Sequence, residues 1–205
     1  MTAIDTNLLI SWGATYKKCK KGEYIFYEGD EALFYYQVES GELRMSNMND
    51  SGKEYIQGMF SKGESFGEPP LFLNERYPAS AIANEDLVVL RISKEYFLKI
   101  LRENTEIQFT FLKILAKKVY SKAITAKSVI NHTPEERIMA FLCDYKRKLN
   151  EHDNPIQIPF TRQEIANYTG LRVETVIRTW FVKFFNGRYC RLYYALQNWV
   201  FFSLF

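Results

Sequence analysis

The chain has 205 residues, of which 47% are hydrophobic and 25% are charged, and its formal net charge is +3. This composition is typical of a globular protein, and the length allows one large domain or two small ones. No apolar run approaches the length of about 18 residues that a transmembrane helix needs. The start of the chain, which includes Asp5, lacks the apolar core of a signal peptide. We therefore expect a cytoplasmic protein that does not enter a membrane.

Metal-dependent and redox functions find little support in the sequence. The three cysteines form no CxxC pair and only two histidines are present: Cys19, Cys143, Cys190, His132 and His152. Scattered free thiols in a reducing compartment are the simpler interpretation, because a metal site needs clustered ligands. A cupin-like enzyme would need His and carboxylate ligands inside a β-roll, and no histidine lies between residues 17 and 95. We expect no metal, no cofactor and no enzymatic activity.

The positive charge is concentrated near the C-terminus. Residues 1–130 hold 17 basic and 17 acidic side chains, whereas residues 131–205 hold 10 basic and 7 acidic ones. From Thr161 onward the ratio is 6 to 2. A small basic module attracts polyanions by releasing their counterions, so the C-terminal third is the candidate for a nucleic-acid contact.

The first half of the chain has the pattern of an all-β domain. Seven of the ten glycines fall between Gly22 and Gly67, at the ends of short aromatic and β-branched runs. Such runs at intervals of about 8–12 residues predict an antiparallel sandwich or barrel. The predicted strands are residues 24–27, 34–38, 43–45, 55–56, 81–83 and 87–92. The residues before Lys17 are interpreted as a short helix or an arm.

Helices replace strands from about Ser93, and no glycine occurs between residues 68 and 169. Ser93 is the predicted N-cap of a short helix, and a long uninterrupted helix follows over residues 105–130. The long helix carries a narrow apolar stripe at 3-4 spacing, interrupted by Lys122: Leu112, Leu115, Val119, Ala126 and Val129. Such a helix either packs on its own domain or pairs with a copy of itself. Its position between two domains favours a homodimer through residues 105–130, since a lone connecting helix would leave the stripe in water.

A further helix is predicted to begin after Thr133, which is followed by Pro134 and, three residues after the cap, Glu136. It is expected to end near Lys148. Its apolar residues lie on one face: Ile138, Phe141, Leu142 and Tyr145. Residues 150–159 then form a polar connector, with a possible strand at residues 156–158.

The next segment has the signature of a helix-turn-helix. Thr161 and Glu164 form a second capping box, which opens a short helix through Tyr168. Gly170 permits a tight turn, and a new helix begins at about Val173. Two short helices joined by a turn that contains glycine are typical of DNA-binding helix-turn-helix modules.

The second helix of this module carries the candidate base-reading residues. Arg172, Glu174, Thr175 and Arg178 cluster in its first two turns, where such a helix faces the major groove. Arg178 could bond guanine O6 and N7, and Glu174 could accept from cytosine N4. The alternative is a surface ion pair between Glu174 and Arg178, worth a few tenths of a kcal/mol. Phosphate contacts are assigned to Thr161, Arg162 and Thr175.

Taken together, these blocks resemble the cAMP receptor protein and fumarate–nitrate regulator family, the Crp/Fnr family of bacterial transcription regulators. The resemblance covers about residues 17–178 and rests on several spaced segments: residues 21–23, 28–30, 40–43, 63–68, 161–166 and 173–178. It implies an α+β fold with an N-terminal double-stranded β-helix (jelly-roll) as sensor, a long dimerisation helix and a C-terminal winged helix-turn-helix. The expected domains are residues 1–103, 104–130 and 131–205.

The chain also departs from the family pattern. Cyclic-nucleotide-binding members have an Arg-Ser or Arg-Thr pair that holds the cyclic phosphate, and the matching positions here are Tyr77 and Pro78, next to Arg76. We therefore expect no cAMP binding, because the charge-assisted clamp is missing. The N-terminal cysteines of iron–sulfur members are absent. Val173 replaces an arginine of cAMP-dependent members, which makes the recognition helix resemble that of the fumarate–nitrate branch and predicts a different half-site. The candidate effector residues are Glu64, Glu68, Arg76 and Tyr77.

Residues 179–205 do not follow the family pattern, in which a two-stranded wing is expected. They hold 11 aromatic side chains, one glycine and no acid, and our hypothesis is that the sequence leaves its ancestral reading frame after Arg178. The sequence thus predicts a homodimeric regulator that binds double-stranded DNA and that has RNA polymerase as a further candidate partner. The alternative is a module that binds a cyclic nucleotide or another small ligand and whose altered wing impairs DNA binding.

Overall fold

Short apolar runs separated by glycine turns fold into eight strands in the N-terminal part of the chain. Their bounds are β1 Thr15–Cys19, β2 Tyr24–Phe26, β3 Phe34–Ser40, β4 Leu43–Met48, β5 Glu54–Phe60, β6 Ser65–Phe66, β7 Ser80–Ala83 and β8 Leu87–Ser93. They form two four-stranded sheets, with the orders β1-β8-β3-β6 and β2-β7-β4-β5. Every pairing between these strands is antiparallel. This is the predicted jelly-roll.

Seven helices complete the described structure. Their bounds are α1 Thr6–Ser11, α2 Pro69–Leu73, α3 Lys94–Glu103, α4 Thr105–Asn131, α5 Pro134–Lys148, α6 Arg162–Thr169 and α7 Val173–Phe184. The Ser93 hydroxyl accepts from the Tyr96 N–H at the start of α3, as the capping pattern predicted. The Thr133 N–H donates to Glu136 Oε2 over 2.8 Å at the start of α5, which confirms the second predicted cap.

The computed structural model describes residues 3–50, 52–131, 133–148 and 158–184. The chain divides into two compact units, residues 1–123 and 124–205. The predicted strand at residues 156–158 and the tail beyond Phe184 lie largely outside the described residues; Ile158 itself is buried and belongs to no strand. Among the helices that are described, none is both long enough and apolar enough to cross a membrane.

Part of the core of the N-terminal unit is a group of aromatic rings from β3 and from the helices α3 and α4. Tyr35 stacks on Phe97 with ring centroids 4.3 Å apart, and Phe111 meets both rings edge-on. These three side chains are almost completely buried. Aromatic pairs in such geometries add about 0.5–1.5 kcal/mol each to the hydrophobic burial. Phe97 lies on α3 and Phe111 on α4, so the first turns of the long helix belong to the roll.

Some local predictions needed correction. Thr15 and Tyr16, assigned with the preceding residues to a short helix or an arm, already pair with Arg91 and Leu90 of β8. The two-residue strand β6 was not predicted, because it is defined only by its pairing with Tyr36 and its neighbour on β3. Helix α2 was also missed, since five residues that begin with two prolines carry too short a pattern.

Candidate nucleic-acid interface

Helix α6 begins with the predicted capping box. The Glu164 N–H donates to Thr161 Oγ1 over 3.1 Å, and the Thr161 N–H donates to Glu164 Oε2 over 2.7 Å. Two N–H groups that the helix itself leaves without acceptors are satisfied in this way. The helix therefore starts at a defined residue, which fixes its position on the unit.

Helix α6 ends at Gly170, which has φ +67°, in the left-handed region. Its N–H donates to the Ala166 carbonyl, and the Leu171 N–H donates to the same oxygen over 3.1 Å. The Arg172 carbonyl then accepts from the N–H groups of Thr175 and Val176 in the first turn of α7. A side chain with a Cβ is strained at this φ, so glycine is what allows α7 to follow α6 after a turn of only three residues.

The two helices rest on a small apolar core. Ile165 of α6, Val176 of α7 and Ile138 of α5 are each fully buried. The Phe141 ring of α5 lies 4.3 Å from the Tyr168 ring of α6, centroid to centroid. The predicted faces of α5 and α6 are confirmed at these positions. Helices α6 and α7 are thus both anchored through their buried faces.

The exposed face of α7 carries unpaired charges. Arg172, Glu174 and Arg178 are all exposed. In the described part of the chain, none of the ion pairs or hydrogen bonds involves the side chains of these residues. The surface pair that the sequence left open between Glu174 and Arg178 is therefore absent from the structure. Both side chains point outward, as base reading requires.

The other candidate DNA contacts lie at the edges of this face. Thr161 is exposed, but its hydroxyl already belongs to the capping box and donates to Glu164 Oε2 over 2.8 Å. Arg162, Val173 and Thr175 are half-buried. Their assignment to phosphate or base contacts stays a prediction.

The four candidate effector residues lie in the roll and do not form one cluster of free polar groups. Glu68 is 2% exposed, and its Oε1 accepts from Lys118 Nζ of α4 over 2.6 Å. The same ammonium donates to the Ser65 carbonyl over 2.7 Å. The charge of Glu68 is thus compensated within the chain, which the sequence did not predict.

Tyr77 lies inside the roll. It is 3% exposed, its ring stacks on Phe26 at 3.7 Å, and its hydroxyl donates to the Phe34 carbonyl over 3.2 Å. Burial raises the pKa of the Tyr77 hydroxyl well above its usual value, because a phenolate is poorly solvated inside the roll. Gly67 lies against both rings, and a Cβ there would stand 3.0 Å from Phe26 and 3.1 Å from Tyr77. The position that the family resemblance assigns to a phosphate-binding arginine is occupied by a packed aromatic ring.

The remaining two candidates, Arg76 and Glu64, make contacts at the surface of the roll. Arg76 is well exposed; its Nη1 donates to the Gly29 carbonyl over 2.8 Å and its Nη2 lies 3.7 Å from Glu31 Oε1. Glu64 accepts from the Ser61 N–H over 2.9 Å and closes a turn. The assignment of all four residues to an effector site stays a prediction.

The apolar stripe of α4 differs in detail from the one predicted. Leu115 packs against the core of the roll, whereas Leu112 is 59% exposed and Val119 is 68% exposed. Ala116 and Ala123 are exposed as well, which gives a stripe at positions 112, 116, 119 and 123 with the 4-3-4 spacing of a coiled coil. We call these four residues the α4 stripe. The side chains of Ala126 and Val129 lie outside the described ones.

A double antiparallel sheet in one unit and, in the other, a helix-turn-helix whose second helix carries exposed charges are the two parts of a helix-turn-helix transcription regulator, and known proteins support this class. Residues 16–104 match the model of a cyclic nucleotide-binding domain, and residues 136–180 match that of a Crp-like helix-turn-helix domain. The transcriptional activator protein Anr of Pseudomonas protegens is 30% identical over 162 residues, 78% of this chain and 66% of that relative. The chain belongs to the Crp/Fnr family, as the resemblance predicted.

Solved structures agree on the fold. The c-di-GMP responsive global regulator CLP of Xanthomonas campestris has a TM-score of 0.74 at 21% identity, covering 85% of this chain and 90% of that one. FixK2 of Bradyrhizobium japonicum has a TM-score of 0.71 at 24% identity, covering 81% and 82%. The chain spans 66% of the length of the curated relative Anr, and the activity of the whole protein is therefore a matter for proposal.

Proposed function

We propose that this protein is a transcription regulator that binds double-stranded DNA with sequence specificity through α7. The observation that carries the proposal is a set of exposed side chains at the start and on the outer face of α7 that have no partner among the described residues: Arg172, just before the helix, and Glu174 and Arg178 on it. A guanidinium in the first two turns of a recognition helix suits the O6 and N7 acceptors of guanine, and a carboxylate suits the N4 donor of cytosine. An acid this close to DNA would be repelled by phosphate unless it reads a base or orients an arginine.

The test of base reading begins with selection from a random double-stranded library, followed by fluorescence anisotropy on the selected operator. Arg178→Ala should weaken operator binding by about 1–3 kcal/mol and relax the preference at one base pair. Arg102→Ala is the matched control, because it removes the same charge from an exposed position on α3. Equal effects of the two variants would contradict the proposal.

Failure of the unaltered protein to select any sequence would favour the other hypothesis. In that case the chain is a ligand-binding module, and the altered segment at residues 179–205 impairs DNA binding. The residual association would then be weak, independent of sequence and strongly reduced by salt.

A homodimer through α4 completes the proposal. The α4 stripe leaves two large aliphatic side chains in water on a helix of 27 residues, and pairing with a copy of the same helix would cover them. A two-fold dimer would present two α7 helices to half-sites about one DNA turn, roughly 34 Å, apart.

Sedimentation velocity tests the dimer. Leu112→Lys combined with Val119→Lys should convert the dimer to a monomer, since two ammonium groups would be buried without partners. Glu106→Lys adds a lysine to the same helix outside the stripe and should leave the dimer intact. A double variant that still sediments as the unaltered protein does would exclude this interface.

The proposed regulator does not respond to cAMP. The buried Tyr77 ring, the missing N–H of Pro78 and the surface contacts of Arg76 leave no charge-assisted clamp for a cyclic phosphate at these positions. Isothermal titration with cAMP should show no binding. An effector would act by favouring one of two arrangements of roll and helix, and saturable cAMP binding would overturn this part of the proposal.

A further inference from the structure

A charged side chain of α5 holds the carbonyl with which α6 ends. Arg137 Nη2 donates to the Thr169 oxygen, which belongs to the last residue before the turn at Gly170. Neighbouring carbonyls at this helix end have other donors: Ile165 O accepts from Thr169 Oγ1 over 2.7 Å, and Ala166 O accepts from the Gly170 N–H. The guanidinium therefore supplies a donor for a carbonyl that the helix itself leaves unpaired.

Burying part of a guanidinium without a counter-ion costs free energy that an apolar side chain in the same place would not cost. Among the described residues, the buried Arg137 Nε has no hydrogen-bond partner, and no carboxylate forms an ion pair with the guanidinium. An apolar side chain of similar size would be at least as stabilising in such a place. The favourable partner for the charge is the negative end of the α6 dipole, which is where Thr169 O lies.

We propose that Arg137 is a positioning residue for DNA recognition. By holding Thr169 O it fixes the left-handed turn at Gly170, and with it the direction in which α7 presents Arg178. The inference rests on the proposed function, because only a recognition helix needs its direction fixed so closely. Bidentate contacts to a base edge tolerate about half an ångström of misplacement, and a turn of three residues transmits any movement of Thr169 directly to α7.

The neighbouring residue provides a matched control. Ile138 follows Arg137 on the same helix, is fully buried, and contributes to the core without a hydrogen bond to the turn. Ile138→Val removes one methylene and should lower thermal stability alone. Arg137→Met removes the donor and keeps a similar apolar stem, and Arg137→Lys keeps one charged donor on a shorter side chain.

Hydrogen exchange without DNA tests the local effect. Arg137→Met should speed the exchange of the amides of residues 170–172 by about tenfold or more relative to the amides of α6. Arg137→Lys should give a ratio between those of Arg137→Met and the unaltered protein. Ile138→Val should leave the ratio unchanged. An unchanged ratio in Arg137→Met, or an equal rise in Ile138→Val, would overturn the proposal. If Arg137→Met fails to fold, Arg137→Lys decides the same comparison.

Binding to the selected operator tests the functional effect. Arg137→Met should reduce the operator-to-random preference by about tenfold or more while the dependence on salt stays as in the unaltered protein, because no phosphate contact is lost. A preference that survives in Arg137→Met, or a salt slope that falls with it, would overturn the positioning role. If the unaltered protein selects no operator, the proposed function fails, whereas the exchange data still show whether Arg137 holds the turn.

Discussion

Two ion pairs of the roll and two charged side chains of α7 show opposite uses of charge. In the roll, two ion pairs neutralise charges within the fold. Glu68 is buried against Lys118, and Arg44 Nε lies 2.8 Å from Glu54 Oε1 on the neighbouring strand. On α7, by contrast, Glu174 and Arg178 are exposed and unpaired. A charge that is already paired within the fold contributes to stability and is less available to bind a ligand. A charge left in solvent contributes little to stability and remains available for recognition.

The strongest way to test this comparison is to break the pair inside the roll. Lys118→Met would leave the Glu68 carboxylate buried without its partner, and we expect a loss of about 3 kcal/mol of unfolding free energy, at the lower end of the range for such pairs. The lower end is appropriate because the side chain of Lys118 is 31% exposed. Urea denaturation followed by far-UV circular dichroism measures the loss.

The adjacent lysine serves as the control for that experiment. Lys117 is exposed on the same helix, and Lys117→Met should change stability by no more than about 0.5 kcal/mol. The combination of Lys118→Met with Glu68→Gln should recover part of the loss, because a neutral amide costs less to bury than a carboxylate. Equal stability of the two lysine variants would mean that Glu68 is not confined as the structure shows.

A smaller effect is expected at the turn that separates the two helices of the recognition module. Gly170→Ala places a Cβ at φ +67°, which should cost about 1–2 kcal/mol. Gly170→Asn should cost less, because asparagine tolerates the left-handed region. Thermal unfolding of the two variants measures the difference, and an alanine variant as stable as the asparagine variant would indicate another conformation at the turn.

What the sequence predicted well are features that depend on residues close together in the chain. The capping boxes of α5 and α6 and the glycine after α6 each act within a few positions, so Thr133, Thr161 and Gly170 could be assigned their roles directly. Six of the eight strands of the roll were found for the same reason, since turn residues mark the ends of their apolar runs.

What the sequence did not predict are contacts between distant segments. Lys118 and Glu68 are 50 residues apart, and Arg137 and Thr169 are 32 apart. A signal for Arg137 did exist: it lies one turn before Phe141 on a face that otherwise becomes the core of the unit. A charge on an apolar helix face indicates a buried partner, but it does not indicate which one. The same limit applied to Leu115, which packs on the roll although its spacing also suited the dimer stripe.

The smallest effect on stability is expected for the exposed charges of α7. Glu174→Ala and Arg178→Ala remove side chains that have no partner in the described structure, so each should change unfolding free energy by no more than about 0.5 kcal/mol. Thermal melts without DNA measure this, and the proposed loss of operator binding is measured separately. Ile165→Ala supplies the opposite control, since removing a fully buried side chain of α6 should cost about 2–5 kcal/mol of stability. If Arg178→Ala lost stability on that scale, its guanidinium would be part of the fold. The contrast between the paired charges of the roll and the exposed charges of α7 would then not hold.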